Sequence, residues 1–477
     1  MAEKNDKAQL VIIGAGPGGY AAAFHANDLG LDVTLVDPKE NPGGVCLYHG
    51  CIPTKALLHF ANLKQEIQHA NDWGLEYSDV KVNLDKVRDW KQKVVKQLTG
   101  GLGQLSKRRK INYIRGTAKF KSENSLEINE HEGKTRELKF DNALIATGAS
   151  PKSLPGIEFD NKKIMDAEAA LELNDIPGKL LIVGAGYIGL EMSTIYHALG
   201  SEIDIVELTS GIMPGVDEDL KDAFVKERKE LLEGAMFETK VTSVKKSGKK
   251  LKVTFEDKDG EEKGKSYDKV LISVGASPNS DNLGLDEAGV KTDDKGFIKV
   301  DRVRKTNVSN IYAIGDVAGE PLLAHVASHE GRVAVEAIAG QKTAYEPKAI
   351  PAIFFTDPEI AFTGLSETEA RKQGRKVEVA KFPWAASGRA ATLGRSKGMT
   401  KLIFDPDNGR LLGAGFVGKD AGSLVPEATL AIEMAAVAKD LALTIHPHPT
   451  LSETIMEAAE VFLGEPTHIF KPKRNSK

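Results

Sequence analysis

A glycine-rich turn set between a short apolar strand and a helix occurs twice in this chain, and few architectures accommodate it twice. Leu10-Val11-Ile12-Ile13 reads as a buried parallel strand, Gly14-Ala15-Gly16-Pro17-Gly18-Gly19 turns the chain, and a helix is expected from near Tyr20. The next strand, Asp32 to Val36, ends on Asp37, 18 residues after Gly19, where a carboxylate can accept hydrogen bonds from a ribose diol. The design returns 170 residues later: Leu180-Leu181-Ile182-Val183, then Gly184-Ala185-Gly186-Tyr187-Ile188-Gly189, then a strand from Ser201 to Val206 ending on Glu207, again 18 residues after the last glycine. Such glycines let a pyrophosphate approach backbone N–H groups at a helix N-terminus. The pattern predicts two dinucleotide sites. An acid ending the second strand repels a 2′-phosphate and residues 208–210 supply no arginine to receive one, so the second site should prefer NAD to NADP.

The only two cysteines, Cys46 and Cys51, have four residues between them in Gly43-Gly44-Val45-Cys46-Leu47-Tyr48-His49-Gly50-Cys51-Ile52-Pro53-Thr54-Lys55. Pro53 suits the first turn of a helix, which puts Cys51 near a helix N-terminus where a thiolate is favoured. On a regular helix the two side chains would point about 140° apart, so a bridge requires an irregular segment, which Gly44 and Gly50 permit. A bridge across so short a loop adds little stability, which favours a redox role over a structural one. The alternatives are two unconnected thiols or half of a metal site.

A chain of 477 residues exceeds one hydrophobic core, and roughly two to four domains are expected. A helical run from about Asn83 to Lys110 leads to strand-like pieces ending at Ala146-Thr147-Gly148. Lys269 to Gly275 closes the second nucleotide region in the same way, and Asn310 to Asp316 is a further buried strand whose Asp316 could hold a cofactor hydroxyl. The first domain is thus expected to be discontinuous: residues 1–150, interrupted by 151–280, resumed over 281–349. Residues 350–477 read as a third, α+β domain with an Ala-rich helix from Pro426 to about Leu443, suited to subunit contact. In it Ile445-His446-Pro447-His448-Pro449-Thr450-Leu451-Ser452-Glu453 carries two histidines pinned by prolines. Net charge of −4 gives no reason to expect nucleic acid or an anionic membrane as partner. Lys107 to Lys110 and the Lys471–Lys477 tail read as solvated surface. No apolar run approaches a membrane span, and Met1 to Gln9 is polar with no apolar h-region, so a cytoplasmic protein, or one of an organelle matrix after processing, is expected.

With paired fingerprints, Cys46-x4-Cys51 and His448-Pro449-Thr450-Leu451-Ser452-Glu453, the chain resembles the flavoprotein disulfide reductases almost end to end, and most closely those that oxidise dihydrolipoamide. The resemblance implies an α/β fold: two Rossmann-like domains, for FAD and then NAD, plus a C-terminal α+β dimerisation domain. It implies a homodimer whose active site takes His448 of the partner subunit. It also implies recruitment by lipoyl domains of 2-oxo acid dehydrogenase complexes or by a glycine-cleavage carrier. Cys46 would be the thiol attacked by substrate, Cys51 the thiol against the flavin, and Lys55 with Glu191 a pair at the flavin's reactive edge. Gly14, Gly16, Gly19, Asp37, Ala118, Thr147, Gly148, Asp316 and Ala324 would hold FAD. Gly184, Gly186, Gly189, Glu207, Val241 and Gly275 would hold NAD.

Local readings compete with some of these roles. Thr450-x-x-Glu453 fits a helix capping box, so Glu453 has a structural use besides orienting His448. His446 reads as structural. His325 and His329, four apart on a helix, have metal-binding spacing but no third ligand. Lys55 stands one turn after Cys51, which lifts it above an ordinary surface lysine. Several positions depart from the family pattern: Tyr48-His49 where Asn-Val is usual, Asp37 for glutamate, Pro447 for alanine, and Ala276 where arginine often follows Gly275. Glutathione-type and mercuric reductases are the nearest rivals; they favour NADP through basic residues missing here. A silent subunit that merely keeps the fold would have no need of Cys46, Cys51 and His448.

Overall fold

The computed structural model describes residues 7–76 and 80–470, the side chains of residues 68 and 69 excepted. The Lys471–Lys477 tail and most of the polar N-terminal stretch lie outside the described residues. Near-continuous apolar strands build two parallel sheets, as strands covered on both faces require. In the first, Asn112–Ser122, Val33–Asp37, Lys7–Ile13, Thr135–Ile145 and Ile311–Ala313 lie side by side and parallel. Ser125–Glu130 pairs antiparallel with the far ends of its neighbours. The last strand thus comes from far along the chain and carries the Gly315-Asp316 turn to the same sheet end as Gly14. In the second, Ala235–Met236, Glu202–Val206, Lys179–Val183, Lys269–Ile272 and Ile164–Met165 repeat the parallel order, flanked by a three-stranded antiparallel layer from Thr239 to Tyr267. Ala149–Pro151 and Ala276–Pro278 pair antiparallel as the connection between them.

Each glycine turn feeds a helix. The first helix is Pro17–Asp28, starting earlier than Tyr20 because Pro17, with its φ already suited and no N–H to satisfy, takes the first helical position. It packs on Ala324–Ile338 so closely that a Cβ on Gly18 would lie 3.0 Å from the Ala327 carbonyl oxygen. The second turn feeds Tyr187–Leu199.

The third unit is an antiparallel sheet in the order Ala352–Phe354, Glu359–Gly364, Leu411–Gly418, Met399–Phe404, Glu378–Pro383. The helix expected from Pro426 to Leu443 is two, Val425–Glu433 and Ala438–Leu443. Ala435 turns left-handed (φ 59°), and the intervening backbone bonds across to the 409–411 edge through Leu411 N–H to Ala436 O and Ala438 N–H to Gly409 O. Those bonds replace the helical ones. Lys401, 1% exposed, fastens this sheet to the second unit, with Nζ 2.9 Å from Asp217 Oδ2, 3.0 Å from Asp219 Oδ1 and 2.9 Å from Glu367 Oε2.

Candidate active site

The two glycine turns do the same three things. Gly14 and Gly184 hold φ of +99° and +103°, and a Cβ on either would collide with a backbone carbonyl, of Ala146 or of Ser273. A Cβ on Gly19 or Gly189 would stand 1.9 or 2.0 Å from the carbonyl oxygen of Gly14 or Gly184, so these glycines allow helix and turn to touch. Gly16 and Gly186, by contrast, have at most a distant neighbour where a Cβ would be, leaving room at the helix N-termini for phosphates. Gly148 (φ +72°) and Gly275 (φ +111°) are similarly open.

The two strand-end acids are used alike. Asp37 Oδ2 accepts from Ala15 N–H at 2.7 Å and Oδ1 from Lys39 N–H. Glu207 Oε2 accepts from Ala185 N–H at 2.8 Å and Oε1 from Thr209 N–H. Each therefore fixes its own glycine turn, a structural task beside any ribose contact; Glu207 Oε1 also accepts from the Thr209 hydroxyl at 2.9 Å, so spare lone pairs remain on both Asp37 oxygens and on Glu207 Oε2. Burial pushes the Asp37 carboxyl up, against the pull of those two N–H donors.

Both turns open on one cleft of about 1250 Å³. Gly14, Gly16, Asp37, Ala118, Thr147, Gly148, Asp316 and Ala324 line one part of it and Gly184, Gly186, Glu207, Val241 and Gly275 another, with Cys46, Cys51, Lys55 and Glu191 in its wall. Burial pushes the Asp316 carboxyl up as well. Ala324 opens a helix, so its end points N–H groups at the space. Gly19 and Gly189 lie behind the turns and do not line the cleft. The residues present fit two dinucleotides.

The redox segment is built onto the first turn. Gly43 N–H donates to Ala15 O at 2.8 Å, and Gly44 (φ +59°) lies so near Gly16 that a Cβ would be 2.5 Å from its Cα. Cys46 sits in a one-turn helix, Gly44–Tyr48; His49 and Gly50 break it, and Cys51 begins the helix Cys51–Ala70. This break brings the thiols within hydrogen-bonding reach of each other. The Cys46 S–H donates to Cys51, which brings the Cys51 thiol down to about 7; burial opposes this and Lys55 assists. The Cys46 thiol is held up by the same bond and by burial. In the reduced pair these surroundings favour the charge on Cys51 over Cys46.

Lys55 Nζ donates to both oxygens of Glu191, at 2.9 and 3.0 Å, and lies 4.6 Å from the Phe355 ring centre. Glu191 is 2% exposed and also accepts from Phe355 N–H at 3.1 Å. One carboxylate thus joins the redox helix, the second dinucleotide helix and the approach to the third sheet.

His448 and Glu453 are not in the cleft. They stand on the third unit, His448 with its side chain 74% exposed and Nδ1 2.8 Å from Glu453 Oε1. Glu453 Oε2 also accepts from Thr450 N–H at 2.7 Å, so the one residue both closes the turn and orients the ring. His446 is tied to Thr444 O and Glu427, His325 to Pro351 O, and His329 lies against Tyr345. Sequence reasoning missed Asn279, whose backbone and side chain hold Gly148 O, Thr147 O and the Thr147 hydroxyl; its partners are 132 residues away and no local motif marks it. Elsewhere on the third unit Leu430, Met434, Leu443 and Ile445 expose apolar side chains, Ile445 95% exposed. Among the described residues no helix is long and apolar enough to cross a membrane.

Residues 8–331 match the family model described as pyridine nucleotide-disulphide oxidoreductase, and residues 350–459 the dimerisation domain of the same family. The chain is 47% identical over 474 residues to a dihydrolipoyl dehydrogenase of Vibrio cholerae, covering 99% of each. It is 43% identical over 463 residues to one of Haloferax volcanii, covering 96% of this chain and 97% of the other. Among solved structures, LpdA of Mycobacterium tuberculosis superposes with a TM-score of 0.88 at 25% identity, covering 95% of this chain and 99% of its own. The flavoprotein disulfide reductase RclA of Escherichia coli, solved as a Cu(II) complex, gives 0.84 at 26% identity, covering 95% and 98%. Two open glycine cradles, a thiol pair between them and matches spanning nearly the whole length lead to one conclusion: the chain belongs to the pyridine nucleotide-disulphide oxidoreductase family.

Proposed function

We propose that the protein oxidises dihydrolipoamide to lipoamide and reduces NAD⁺ to NADH, with FAD in the first cradle and NAD in the second. The observation that carries this reading is the thiol pair, Cys46 and Cys51, set with Lys55 in the wall between two dinucleotide cradles in a chain so similar to dihydrolipoyl dehydrogenases.

The chain's own residues account for the thiol chemistry. With Cys46 and Cys51 joined, His448 takes the proton of one substrate thiol on the nitrogen not held by Glu453. The substrate thiolate attacks Cys46 Sγ, the Cys46–Cys51 bond breaks, and Cys51 leaves as a thiolate favoured by its helix terminus and by Lys55. The second substrate thiol passes its proton to His448 as the first proton goes to Cys46. Its sulfur displaces Cys46, closing the lipoamide disulfide. Two protons leave the substrate, one ending on Cys46 and one on His448. When bound, FAD and NAD supply the two-electron chemistry that reoxidises the pair and carries the electrons away as hydride.

His448 and Glu453 stand outside their own chain's cleft, which supports a homodimer in which His448 of the partner subunit serves it; the exposed apolar residues of the third unit support the same assembly. Lipoyl domains of 2-oxo acid dehydrogenase complexes or a glycine-cleavage carrier would present the substrate, in the cytoplasm. The domain boundaries proposed for this activity are 1–150 with 281–349 for FAD, 151–280 for NAD, and 350–477 for dimerisation. The test is NADH formation from dihydrolipoamide and NAD⁺, with NADP⁺ as control. NAD-dependent turnover is the expected result. Turnover only of glutathione-type disulfides with NADPH would overturn the assignment.

A further inference from the structure

A buried ion pair lies behind the turn that carries Asp316 into the cleft. The edge strand Ile311–Ala313 runs on to Ile314, whose N–H donates to Ile145 O at 3.0 Å. At Gly315 (φ +69°) the chain leaves the sheet for the tight turn Gly315–Val317, and the first N–H of such a turn has no backbone partner within it. Glu330 supplies one: its Oε2 accepts from Gly315 N–H at 2.6 Å. Glu330 is 5% exposed and belongs to the helix Ala324–Ile338, whose first residue lines the cleft. One carboxylate therefore ties together two elements of the first cradle.

A second residue holds that carboxylate. Arg304 Nη2 lies 3.0 Å from Glu330 Oε1, with both side chains largely buried. Arg304 is itself fixed beside the edge strand, because Ala313 N–H donates to Arg304 O at 3.0 Å and Lys305 pairs antiparallel with Tyr312. Its guanidinium carbon stands 5.3 Å from the Tyr345 ring centre, and Tyr345 N–H donates to Arg302 O at 2.7 Å, which anchors the ring next to the pair. Burial pushes the Glu330 carboxyl up; Arg304 and the Gly315 N–H oppose it. Turn and helix are in direct contact, since a Cβ on Gly315 would be 2.9 Å from Ala327 Cβ, and the carboxylate bridges them at that contact.

We propose that the Arg304–Glu330 pair is a positioning device for the first cradle, holding the Gly315 turn, and with it Asp316, in the arrangement that receives a hydroxyl of the dinucleotide. The inference rests on the reading that this cradle takes FAD. Neither residue lines the cleft, so both act through Gly315 and Asp316. A turn set before binding spares the ligand the cost of ordering it. The test is release of FAD from the holoenzyme on dilution, followed by flavin fluorescence. Glu330→Gln and Arg304→Met each leave one buried charge without its partner beside Gly315, and each should raise the FAD dissociation constant about tenfold. Arg304→Met combined with Glu330→Gln buries no unpaired charge and keeps an amide oxygen for the Gly315 N–H; this double variant should return to within about threefold of wild type. Affinity for NAD⁺, read at the second cradle, should be unchanged in all three. Should either single variant fail to fold, Glu330→Asp decides: it keeps the charge, draws the carboxylate back from Gly315 and should weaken FAD about threefold. Single variants, or Glu330→Asp, that hold FAD as wild type does would overturn the inference, as would a double variant whose loss is the sum of the singles or an equal loss of NAD⁺. Wild-type protein that bound no FAD would overturn the reading of the first cradle and this inference with it.

Discussion

Lys55→Met isolates what one ammonium does for the redox pair. Lys55 lies one helical turn after Cys51, a separation of about 6 Å. At an effective dielectric constant of about 40, suited to a partly exposed pair, its charge favours the Cys51 thiolate by about 1.4 kcal/mol, or one pH unit. The substitution also leaves Glu191 uncompensated, and that carboxylate opposes the thiolate in the same sense. The Cys51 midpoint should rise from about 7 to about 8, and at pH 7.5 the thiolate fraction should fall from about three quarters to about one quarter. The assay is iodoacetamide alkylation of reduced protein across pH, resolved by peptide so that Cys46 and Cys51 are followed separately. Lys55→Arg, which keeps the charge, should hold its midpoint near the wild-type value. A Lys55→Met midpoint within about 0.3 unit of wild type would refute the electrostatic argument and leave the Cys46 hydrogen bond as the whole cause.

Two further perturbations address the scaffold. Lys401→Met should cost about 3 kcal/mol or more in denaturant unfolding of the third unit, because it removes a buried ammonium shared by three carboxylates and leaves the buried Asp217 without a cation, while Asp219 keeps Lys381 and Glu367 keeps Arg371. Burial raises the Asp217 carboxyl, but Lys401, Thr368 and two backbone N–H groups bring it to about 2, so its contribution is present above the unfolded carboxylate value and fades as pH falls from about 4 to about 2; the variant should lose the part of that acid dependence that Lys401 supplies. Gly189→Ala, with a methyl 2.0 Å from Gly184 O, should raise the KM for NAD⁺ about tenfold or more while leaving flavin content unchanged, and equal loss of flavin would show the two cradles to be coupled.

The parts legible in the sequence are those whose chemistry is local. Each glycine turn, its strand and its acid lie within about thirty residues, so spacing alone locates them. The cysteine segment is legible for the same reason, because the helix break at His49 and Gly50 follows from glycine next to the Cys51-Ile52-Pro53 start. Contacts that close over distance leave no such trace: Asn279 on Thr147, Phe355 N–H on Glu191 and Lys401 among three acids are each made by residue types common on any surface. The helix break at Ala435 is decided by a strand edge at 409–411, not by the Ala-rich run itself. Likewise His468 looks like tail until the turn at Gly464 folds it back onto Glu457.

The first sheet ends on Ile311–Ala313, a strand synthesised long after its neighbour Thr135–Ile145, and the Gly315-Asp316 turn and the Ala324–Ile338 helix follow it. During translation the second cradle, complete by Gly275, is therefore finished before the first, although its sequence begins later. A nascent chain stalled near residue 300 has every glycine of the first turn and no edge strand, Asp316 or packing helix to close the first cradle. Closure of the first cradle is thereby deferred until the ribosome has nearly reached the third unit, and the order of assembly is written into the order of the strands.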